Sequence, residues 1–289
     1  MGYFDYVRPN SLEEALSYLA DGEGKVIAGG TDLVLLLKEG KLQPQRLVGL
    51  QRIPAVCVME EEAKKITLGA GISFAKLATS PLVQLYARPL AQAALQMGSV
   101  QIRNVATLGG NIATGSPAAD GVVPLLALDA RVLIRSPREN VKVELSRLLD
   151  RKAGQAVLRG DEMIVGVEFP KPFPGTRGIF IKLGRRNAKN IARLSLCACL
   201  KVGSGGVIER AAIALGAAGP FPFRLIEAER LLVGNQCMPE LIEEVVEEIS
   251  RALAKNLGNR ASAPYKSYAI RGLAREALEQ CFKVCDGGE

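Results

Sequence analysis

The stretch TLGGNIATGSPAAD, residues 107–120, decides the fold, and it consists mostly of small, uncharged residues. It sets Gly109 and Gly110 beside Asn111, and no charged side chain appears before Asp120. Glycine permits positive φ and lets backbone N–H groups come close to an anion. We therefore predict a loop over about 99–117 that lies against a phosphate-bearing ligand.

A second glycine pair occurs in AGGTDL, residues 28–33. It follows an apolar segment that predicts a buried strand over 25–30, and Thr31 is expected to cap a helix that ends at Gly40. Free N–H groups and the dipole at a helix start favour phosphate. Two such loops facing a pyrophosphate suggest a dinucleotide, whereas ordinary turns are the alternative. Neither loop matches the Rossmann or Walker pattern.

Length, composition and charge bound the remaining choices. A chain of 289 residues with 48% hydrophobic content predicts two or three subdomains. No apolar run approaches the roughly 18–20 residues of a membrane span, and no signal core is visible, so we expect a cytoplasmic protein. The net charge is +7. One basic cluster suggests nucleic acid, but without a nucleic-acid motif a solvated face or an acidic partner is favoured. The cluster comprises Lys182, Arg185, Arg186, Lys189 and Arg193.

The chain contains no histidine, which excludes Ser-His-Asp and Cys-His catalysis and nearly all His-ligated metal sites. Its six cysteines show no four-ligand spacing, so we expect no metal or iron–sulfur site within this chain. Cys197 and Cys199 lie on one face of a predicted apolar strand and are interpreted as buried thiols. Cys281 and Cys285 are one helical turn apart and either pack or bind a metal.

Hydrophobic periodicity and turn residues predict the elements. The N-terminal part alternates short helices and strands, and PKPFPG at 170–175 is the best linker. Three strands and then three helices follow, which favours an α+β domain with an antiparallel sheet. The predicted strands are 46–50, 55–60, 65–70, 131–145 as a hairpin, 162–170, 177–184, 194–202 and 207–217. The predicted helices are 11–20, one after Ser73, 82–97, 119–130, 224–233, 239–255 and 264–283.

Taken together in order, these motifs resemble the FAD-binding medium subunit of the molybdenum hydroxylases, the xanthine dehydrogenase and carbon monoxide dehydrogenase type. AGGTDL, SVQIRNVATLGGNI (99–112) and SPAADGVVPLLALDA (116–130) carry the resemblance, and IVGVEFP (164–170) and IKLGRRNAKNIA (181–192) continue it. The resemblance therefore covers nearly the whole chain.

The resemblance implies an α+β fold with a two-subdomain FAD-binding part (PCMH type) and a C-terminal α+β domain whose antiparallel sheet has three strands. The expected boundaries are 1–173 for the FAD-binding domain, with subdomains of about 1–55 and 56–173, and 174–289 for the C-terminal domain. The resemblance also implies that the chain is part of an oxidoreductase complex, arranged as a dimer of heterotrimers. A small [2Fe–2S] subunit and a large molybdopterin subunit would be the partners, and FAD would pass electrons to an acceptor such as NAD.

The resemblance also implies roles for particular residues. Asp120 would contact the ribose, Lys182 would lie near the flavin, and Ser116 would support a phosphate; an N-cap and a solvated strand residue are the plain alternatives for Asp120 and Lys182. Residues on both sides of the pyrophosphate would complete the site: Ala28, Gly29, Gly30, Thr31, Asp32 and Leu33 on one side, and Thr107, Gly109, Gly110 and Asn111 on the other.

Three other functions stay open on the sequence. A stand-alone flavin reductase or oxidase would need a proton donor above the flavin, which the composition does not exclude. A flavin-free scaffold conflicts with the intact glycine loops. A nucleic-acid binder rests on charge alone. The substrate of the partner subunit has no signature in this chain.

Overall fold

The N-terminal end of the chain forms a three-stranded parallel sheet. The computed structural model describes residues 3–149, 158–184 and 191–282. The strands are β1 (Asp5–Val7), β2 (Gly24–Ile27) and β3 (Arg46–Gly49), in the order β1-β3-β2. The connecting helices are α1 (Leu12–Leu19) and α2 (Leu33–Lys38). A small core under this sheet includes Leu19, Val48 and Ile53.

Of the two helix caps predicted in this part of the chain, one is confirmed and the other is wrong. Ser11 caps α1, because its side chain accepts from the N–H of Glu14 at 3.1 Å. The predicted cap of α2 by Thr31 is wrong: the helix begins after Asp32, and no side chain caps it. The Thr31 hydroxyl instead donates to the Asp32 carboxylate at 3.1 Å. The start of α2 therefore keeps its N–H groups uncovered by either side chain.

A five-stranded antiparallel sheet follows, in the order β4-β5-β8-β6-β7. The hairpin predicted over 131–145 is confirmed, and the strand predicted over 55–60 is replaced by a 3-10 turn at Pro54–Val56 and a short strand from Met59. The strands are β4 (Met59–Glu61), β5 (Lys65–Gly69), β6 (Arg131–Arg135), β7 (Asn140–Glu144) and β8 (Met163–Pro170).

Seven short helices accompany this sheet, and two of them overturn the predicted loop. The stretch from 99 to 117 contains α6 and α7, because the hydroxyls of Ser99 and Thr107 accept from the N–H groups of Ile102 and Gly110 and so cap the two helices. The single helix predicted over 82–97 is two helices, broken at Ala87. Helix α8 is shorter than the predicted 119–130. The helices are α3 (Phe74–Thr79), α4 (Pro81–Tyr86), α5 (Arg88–Gln96), α6 (Val100–Val105), α7 (Leu108–Ala113), α8 (Val122–Ala127) and α9 (Leu145–Leu149).

The C-terminal part is an antiparallel sheet covered by helices. The three predicted strands are confirmed, and a two-residue fourth strand lies beside them where the predicted helix over 224–233 was expected to begin. The order is β12-β11-β10-β9. The strands are β9 (Thr176–Gly184), β10 (Ala192–Val202), β11 (Ile208–Gly216) and β12 (Phe223–Arg224). The helices are α10 (Ile226–Leu232), α11 (Pro239–Leu257) and α12 (Ala263–Phe282).

This C-terminal sheet packs on both faces. One face contacts α10, α11 and α12 through side chains such as Leu196 and Ile213. The other face joins the core of the first part through Phe180, Cys197 and Ala214. The sheet is therefore shared by both cores, and its second face packs against α5 and α8.

An arginine on the short strand ties the two parts together. Arg224 makes two hydrogen bonds to Glu229, at 2.6 and 2.7 Å, and a further one to the Leu126 carbonyl in α8 at 3.1 Å. Asp129 also accepts from it at 2.6 Å. Because Glu229 is buried, this bidentate pair satisfies a carboxylate that would otherwise be costly.

Candidate functional site

A cavity of about 350 Å³ lies between the two glycine motifs. All ten predicted contacts in the two glycine motifs, Ala28 to Leu33 together with Thr107, Gly109, Gly110 and Asn111, line this cavity. The structure thus brings together two motifs about seventy residues apart in the chain. Three other predicted site residues, Ser116, Asp120 and Lys182, do not line it.

The first glycine loop carries a row of free donors. The backbone N–H groups of residues 29–33 donate to no acceptor within the described part of the chain. The helix begins at the last of these residues, Leu33, and the N–H of Val34 is the first to bond, to the Gly30 carbonyl at 3.0 Å. Successive free N–H groups at a helix start favour a bound anion. This loop therefore presents the free backbone donors of the cavity.

The second glycine loop differs from the prediction, because its N–H groups are already hydrogen-bonded within the chain. The first N–H groups of α7 are already paired: Leu108 donates to Ile72 O at 3.0 Å, and Gly109 donates to Ala70 O at 2.8 Å. The next, from Gly110, donates to the Thr107 hydroxyl at 3.2 Å. The helix start is thus tied to the segment that follows β5, and its first N–H groups are not free to donate into the cavity.

The four glycines of the two motifs have different structural roles. A Cβ at Gly29 would lie 1.9 Å from the Val105 carbonyl oxygen, and one at Gly109 would lie 2.5 Å from the Ala70 Cβ. Gly30 has a φ of +70°, which L side chains rarely adopt. A Cβ at Gly110 would meet only the Thr107 hydroxyl, at 3.0 Å. Close packing or backbone shape therefore explains three glycines, and Gly110 is the one whose missing side chain leaves room in the cavity.

Asn111 links the cavity to the next segment. Its side-chain oxygen accepts from the N–H of Gly121 at 3.0 Å, and its amide nitrogen has no hydrogen bond to the residues that the structure describes. Because Asn111 lines the cavity, that amide is a donor toward a ligand. The bond to Gly121 also ties the residue next to Asp120 to the cavity-lining Asn111.

Asp120 and Lys182 form a buried ion pair. Lys182 Nζ lies 2.6 Å from Asp120 Oδ2, and the exposed fractions of their side chains are 1% and 7%. Lys182 also donates to the Gln96 carbonyl at 3.1 Å. Burial raises the pKa of Asp120 to about 6, although Lys182 opposes that rise. Lys182 is thus no solvated strand residue, and Asp120 is no N-cap, since Gly121 precedes α8.

One oxygen of this pair has no partner. Among the residues that the structure describes, the buried side-chain atoms without a hydrogen bond are Asp120 Oδ1 and Ser195 Oγ. An unpaired buried acceptor is costly unless something else completes it. Ser116, the third residue outside the cavity wall, accepts from the N–H of Ala118 at 3.2 Å and so closes a local turn.

Sequence reasoning missed several lining residues. Met97 lines the cavity from the end of α5, and a segment from Leu158 to Ile164 lines it from the start of β8. This segment includes Arg159, which forms ion pairs with Glu139 and Glu162 at 2.7 and 3.0 Å. No glycine pair or periodic pattern marks these positions, so the sequence carried no signal for them.

Three of the five described cysteines, Cys197, Cys199 and Cys281, are buried thiols, whereas Cys57 is exposed and Cys237 is partly buried. Cys197 and Cys199 are buried on the same face of β10, with their sulfur atoms 4.0 Å apart. Burial raises the pKa of Cys281 to about 12. No group of three or more His, Cys, Asp or Glu in the described ranges is arranged to hold a metal ion. Cys285 lies outside the described residues, as do Arg185, Arg186 and Lys189 of the basic cluster.

The comparisons with known proteins identify the class. Residues 2–172 match the family described as the FAD binding domain in molybdopterin dehydrogenase. Residues 179–281 match the CO dehydrogenase flavoprotein C-terminal domain. The chain belongs to this family: it is an FAD-binding subunit of the molybdenum hydroxylase type, and it is related to dehydrogenases.

Individual relatives match over nearly their whole length. The nicotinate dehydrogenase FAD-subunit of Eubacterium barkeri is 29% identical, over 99% of this chain and 98% of the relative. Subunit alpha of the 6-hydroxypseudooxynicotine dehydrogenase complex of Paenarthrobacter nicotinovorans is 32% identical, over 96% and 94%. A chain of carbon monoxide dehydrogenase from Hydrogenophaga pseudoflava superposes with a TM-score of 0.89 at 27% identity, over 98% of each chain. The α+β fold is therefore that of a carbon monoxide dehydrogenase flavoprotein.

The described residues include no helix that is both long and apolar enough to span a membrane.

Proposed function

We propose that this chain carries FAD in the cavity between its two glycine motifs and passes electrons from partner iron–sulfur clusters to an acceptor. The observation that carries the proposal is the row of five N–H groups at residues 29–33 that bond to no acceptor in the described part of the chain. They line the same cavity as Gly110, whose missing side chain leaves room there. A diphosphate has the charge and the acceptors that such a row requires. FAD, when bound, supplies the redox chemistry.

The residues of this chain bind and orient that cofactor in the proposal. The N–H groups of residues 29–33 hold the diphosphate, and the amide of Asn111 donates to it from the other side. Gly110 leaves room for the diphosphate to approach α7. Asp120 has one free oxygen, which suits a sugar hydroxyl, while Lys182 holds the carboxylate in place at 2.6 Å. Ser116 supports the turn that leads to Asp120.

The chain acts within a complex in this proposal. The partners are a small [2Fe–2S] subunit and a large molybdopterin subunit, arranged as a dimer of heterotrimers, and the acceptor is one such as NAD. Relatives named as subunits or medium chains support this, among them the medium chain of carbon monoxide dehydrogenase from Hydrogenophaga pseudoflava, 26% identical over 98% of this chain. No nucleic acid enters the function. We also propose a cytoplasmic location.

We propose the domain boundary near 173. The FAD-binding domain then spans 1–173, with subdomains of about 1–55 and 56–173, and the C-terminal domain spans 174–289. The break between the two family matches, at 172 and 179, supports this division. The parallel sheet within residues 5–49 and the antiparallel sheet within 59–170 support the two subdomains.

Gly110→Val tests the cofactor site. The valine side chain enters the cavity, so we expect purified protein with little or no FAD and an unchanged circular dichroism spectrum. Gly272→Val is the matched control, because Gly272 lies in helix α12 and a Cβ there meets nothing within 4 Å. Full FAD occupancy in Gly110→Val would contradict the assignment of this cavity.

The electron path is tested on the complex purified from its natural source. We expect flavin absorption, iron, molybdenum and two further chains, and bleaching of the flavin on addition of NADH. A yellow chain that purifies without metals or partners would favour a stand-alone flavoenzyme instead. Flavin that NADH leaves oxidised would point to a different acceptor.

A further inference from the structure

Two hydrogen bonds in series run from strand β1 to the first glycine loop. The Tyr6 hydroxyl on β1 donates to Gln51 Oε1 at 3.1 Å, and Gln51 Nε2 donates to the Ala28 carbonyl at 2.9 Å. A carbonyl only accepts, so the amide nitrogen of Gln51 faces Ala28 and its oxygen faces Tyr6. Ala28 directly follows β2, and Gln51 lies just after β3. The parallel sheet therefore brings together three residues that are distant in the chain.

Gly49 at the end of β3 leaves room for these two side chains to meet. A Cβ at this position would lie 2.6 Å from Gln51 Oε1 and 2.7 Å from the Tyr6 hydroxyl oxygen. Glycine within a strand often marks a place where another group approaches the backbone closely. The bond between Tyr6 and Gln51 therefore depends on the missing side chain at 49.

The bond to Ala28 determines where the N–H of Gly29 points. The Ala28 carbonyl and the Gly29 N–H belong to one planar trans peptide unit, in which the two groups point in opposite directions. Ala28 and Gly29 line the cavity, whereas Gln51 and Tyr6 do not. Holding the carbonyl toward Gln51 thus directs the N–H to the other side of the loop, where it meets no acceptor in the described part of the chain.

A device of this kind matters because the loop contains two successive glycines. Glycine adopts many backbone conformations at little cost, so Gly29 and Gly30 alone do not fix the peptide units around them. If the peptide unit between Ala28 and Gly29 turned over, a carbonyl oxygen would replace the free N–H. A carbonyl repels an anion, whereas the N–H binds it.

We infer that Gln51, held by Tyr6, is a positioning residue for the first glycine loop: its amide holds the Ala28 carbonyl so that the Gly29 N–H stays available to a diphosphate. The identity of the ligand rests on the proposed function, whereas the positioning of the loop does not. Gln51 acts through the backbone of Ala28 and Gly29, since it does not line the cavity itself.

Three single variants of the full chain test the inference. Gln51→Met keeps the length of the side chain and removes its donor and its acceptor. Tyr6→Phe removes the hydroxyl and keeps the ring that stacks on Arg8, whose guanidinium carbon lies 5.1 Å from the ring centroid. Gln45→Met is the matched control, because Gln45 is exposed like Gln51 and lies at the opposite end of β3, where its amide donates to the Glu23 carboxylate at 3.3 Å.

The first measurement is the Kd for added FAD. We expect it to rise about two- to tenfold in Gln51→Met, to rise less in Tyr6→Phe, and to stay unchanged in Gln45→Met. In the double variant, Tyr6→Phe should add nothing to the effect of Gln51→Met, because the hydroxyl has lost the group through which it acts. An unchanged Kd in Gln51→Met, an equal rise in Gln45→Met, or additive effects in the double variant would overturn the inference.

The second measurement follows the peptide unit itself by NMR in the flavin-free protein. Labelling alanine carbonyls with ¹³C and glycine nitrogens with ¹⁵N selects the Ala-Gly peptide units, including that of Ala28 and Gly29. We expect its signals to shift in Gln51→Met and in Tyr6→Phe and to keep their positions in Gln45→Met. Signals that keep their wild-type positions in Gln51→Met would show that its amide does not hold the loop. If the wild type binds no FAD, the proposed function fails, while these signals still decide the positioning role.

Discussion

Replacing Lys182 with methionine removes the counter-ion of a buried carboxylate while keeping a side chain of similar length. In the native protein burial raises the pKa of Asp120 from 3.8 to about 6 despite that counter-ion. At pH values above both pKa values, this difference of about 2 in the pKa lowers the folding stability by about 3 kcal/mol. Burial of the charge is thus already costly in the presence of Lys182.

The sign of the pH dependence follows from that raised pKa. The folded state binds the proton more tightly than the unfolded state, so the contribution of Asp120 to stability is full below pH 3.8 and is lost as the pH rises through about 6. Without Lys182 the pKa of Asp120 rises further. Removing one partner of a buried pair typically costs about 3–5 kcal/mol, because the remaining charge is uncompensated. We therefore expect Lys182→Met to lose about this much at pH 8 and much less at pH 5, where Asp120 takes up a proton.

Urea unfolding of the flavin-free protein at pH 5 and pH 8 measures this difference. Each variant is compared with the wild type at the same pH, which removes the contributions of other carboxylates such as Glu168, whose pKa two neighbouring lysines lower. The double variant Asp120→Asn with Lys182→Met carries neither charge, so its stability difference from Lys182→Met alone should be largest at pH 8. An equal loss at both pH values in Lys182→Met would refute the buried pair.

Three further predictions concern packing, the link between the two parts, and the thiols. Gly29→Ala should lower the free energy of unfolding in urea by about 3 kcal/mol or more, since the new Cβ overlaps a backbone oxygen of α6; a loss below 1 kcal/mol would contradict that contact. Arg224→Met should cost about 3–5 kcal/mol in the same assay by leaving Glu229 buried without its partner, and an unchanged unfolding midpoint would contradict the link. Iodoacetamide should label the exposed Cys57 in the native protein and label Cys281 only after unfolding, as peptide mass spectrometry would show; equal labelling of both would mean that Cys281 is not buried.

Much of the fold was predictable because local signals agreed with tertiary packing. Helix α11 carries a strong amphipathic pattern, the central strand of the C-terminal sheet is a nearly continuous apolar run, and Ser11 and Ser73 are ordinary caps. The failures fall where segments are short. The stretch 99–117 reads as a polar loop, yet the caps at Ser99 and Thr107 start two six-residue helices whose packing against neighbours stabilises them.

The sequence predicted most of the residues that line the cavity in the glycine motifs, but not the hydrogen bonds and close contacts that these residues make. Both glycine motifs line one cavity, but only the first leaves a row of N–H groups free, because the carbonyls of Ala70 and Ile72 and the Thr107 hydroxyl accept from those of the second. Which glycine serves packing and which faces the cavity depends on neighbours distant in the chain, such as Val105 beside Gly29. Gln51 carries no motif, since its position beside the Ala28 carbonyl arises only when β2 and β3 pair.

The FAD content of the purified protein tests the central claim most directly. The measurement is the amount of flavin released per chain on denaturation, identified as FAD by chromatography and compared with that from Gly110→Val. The proposed site predicts about one FAD per chain in the wild type and little or none in the variant. A colourless wild-type protein that neither contains nor takes up FAD would contradict the account.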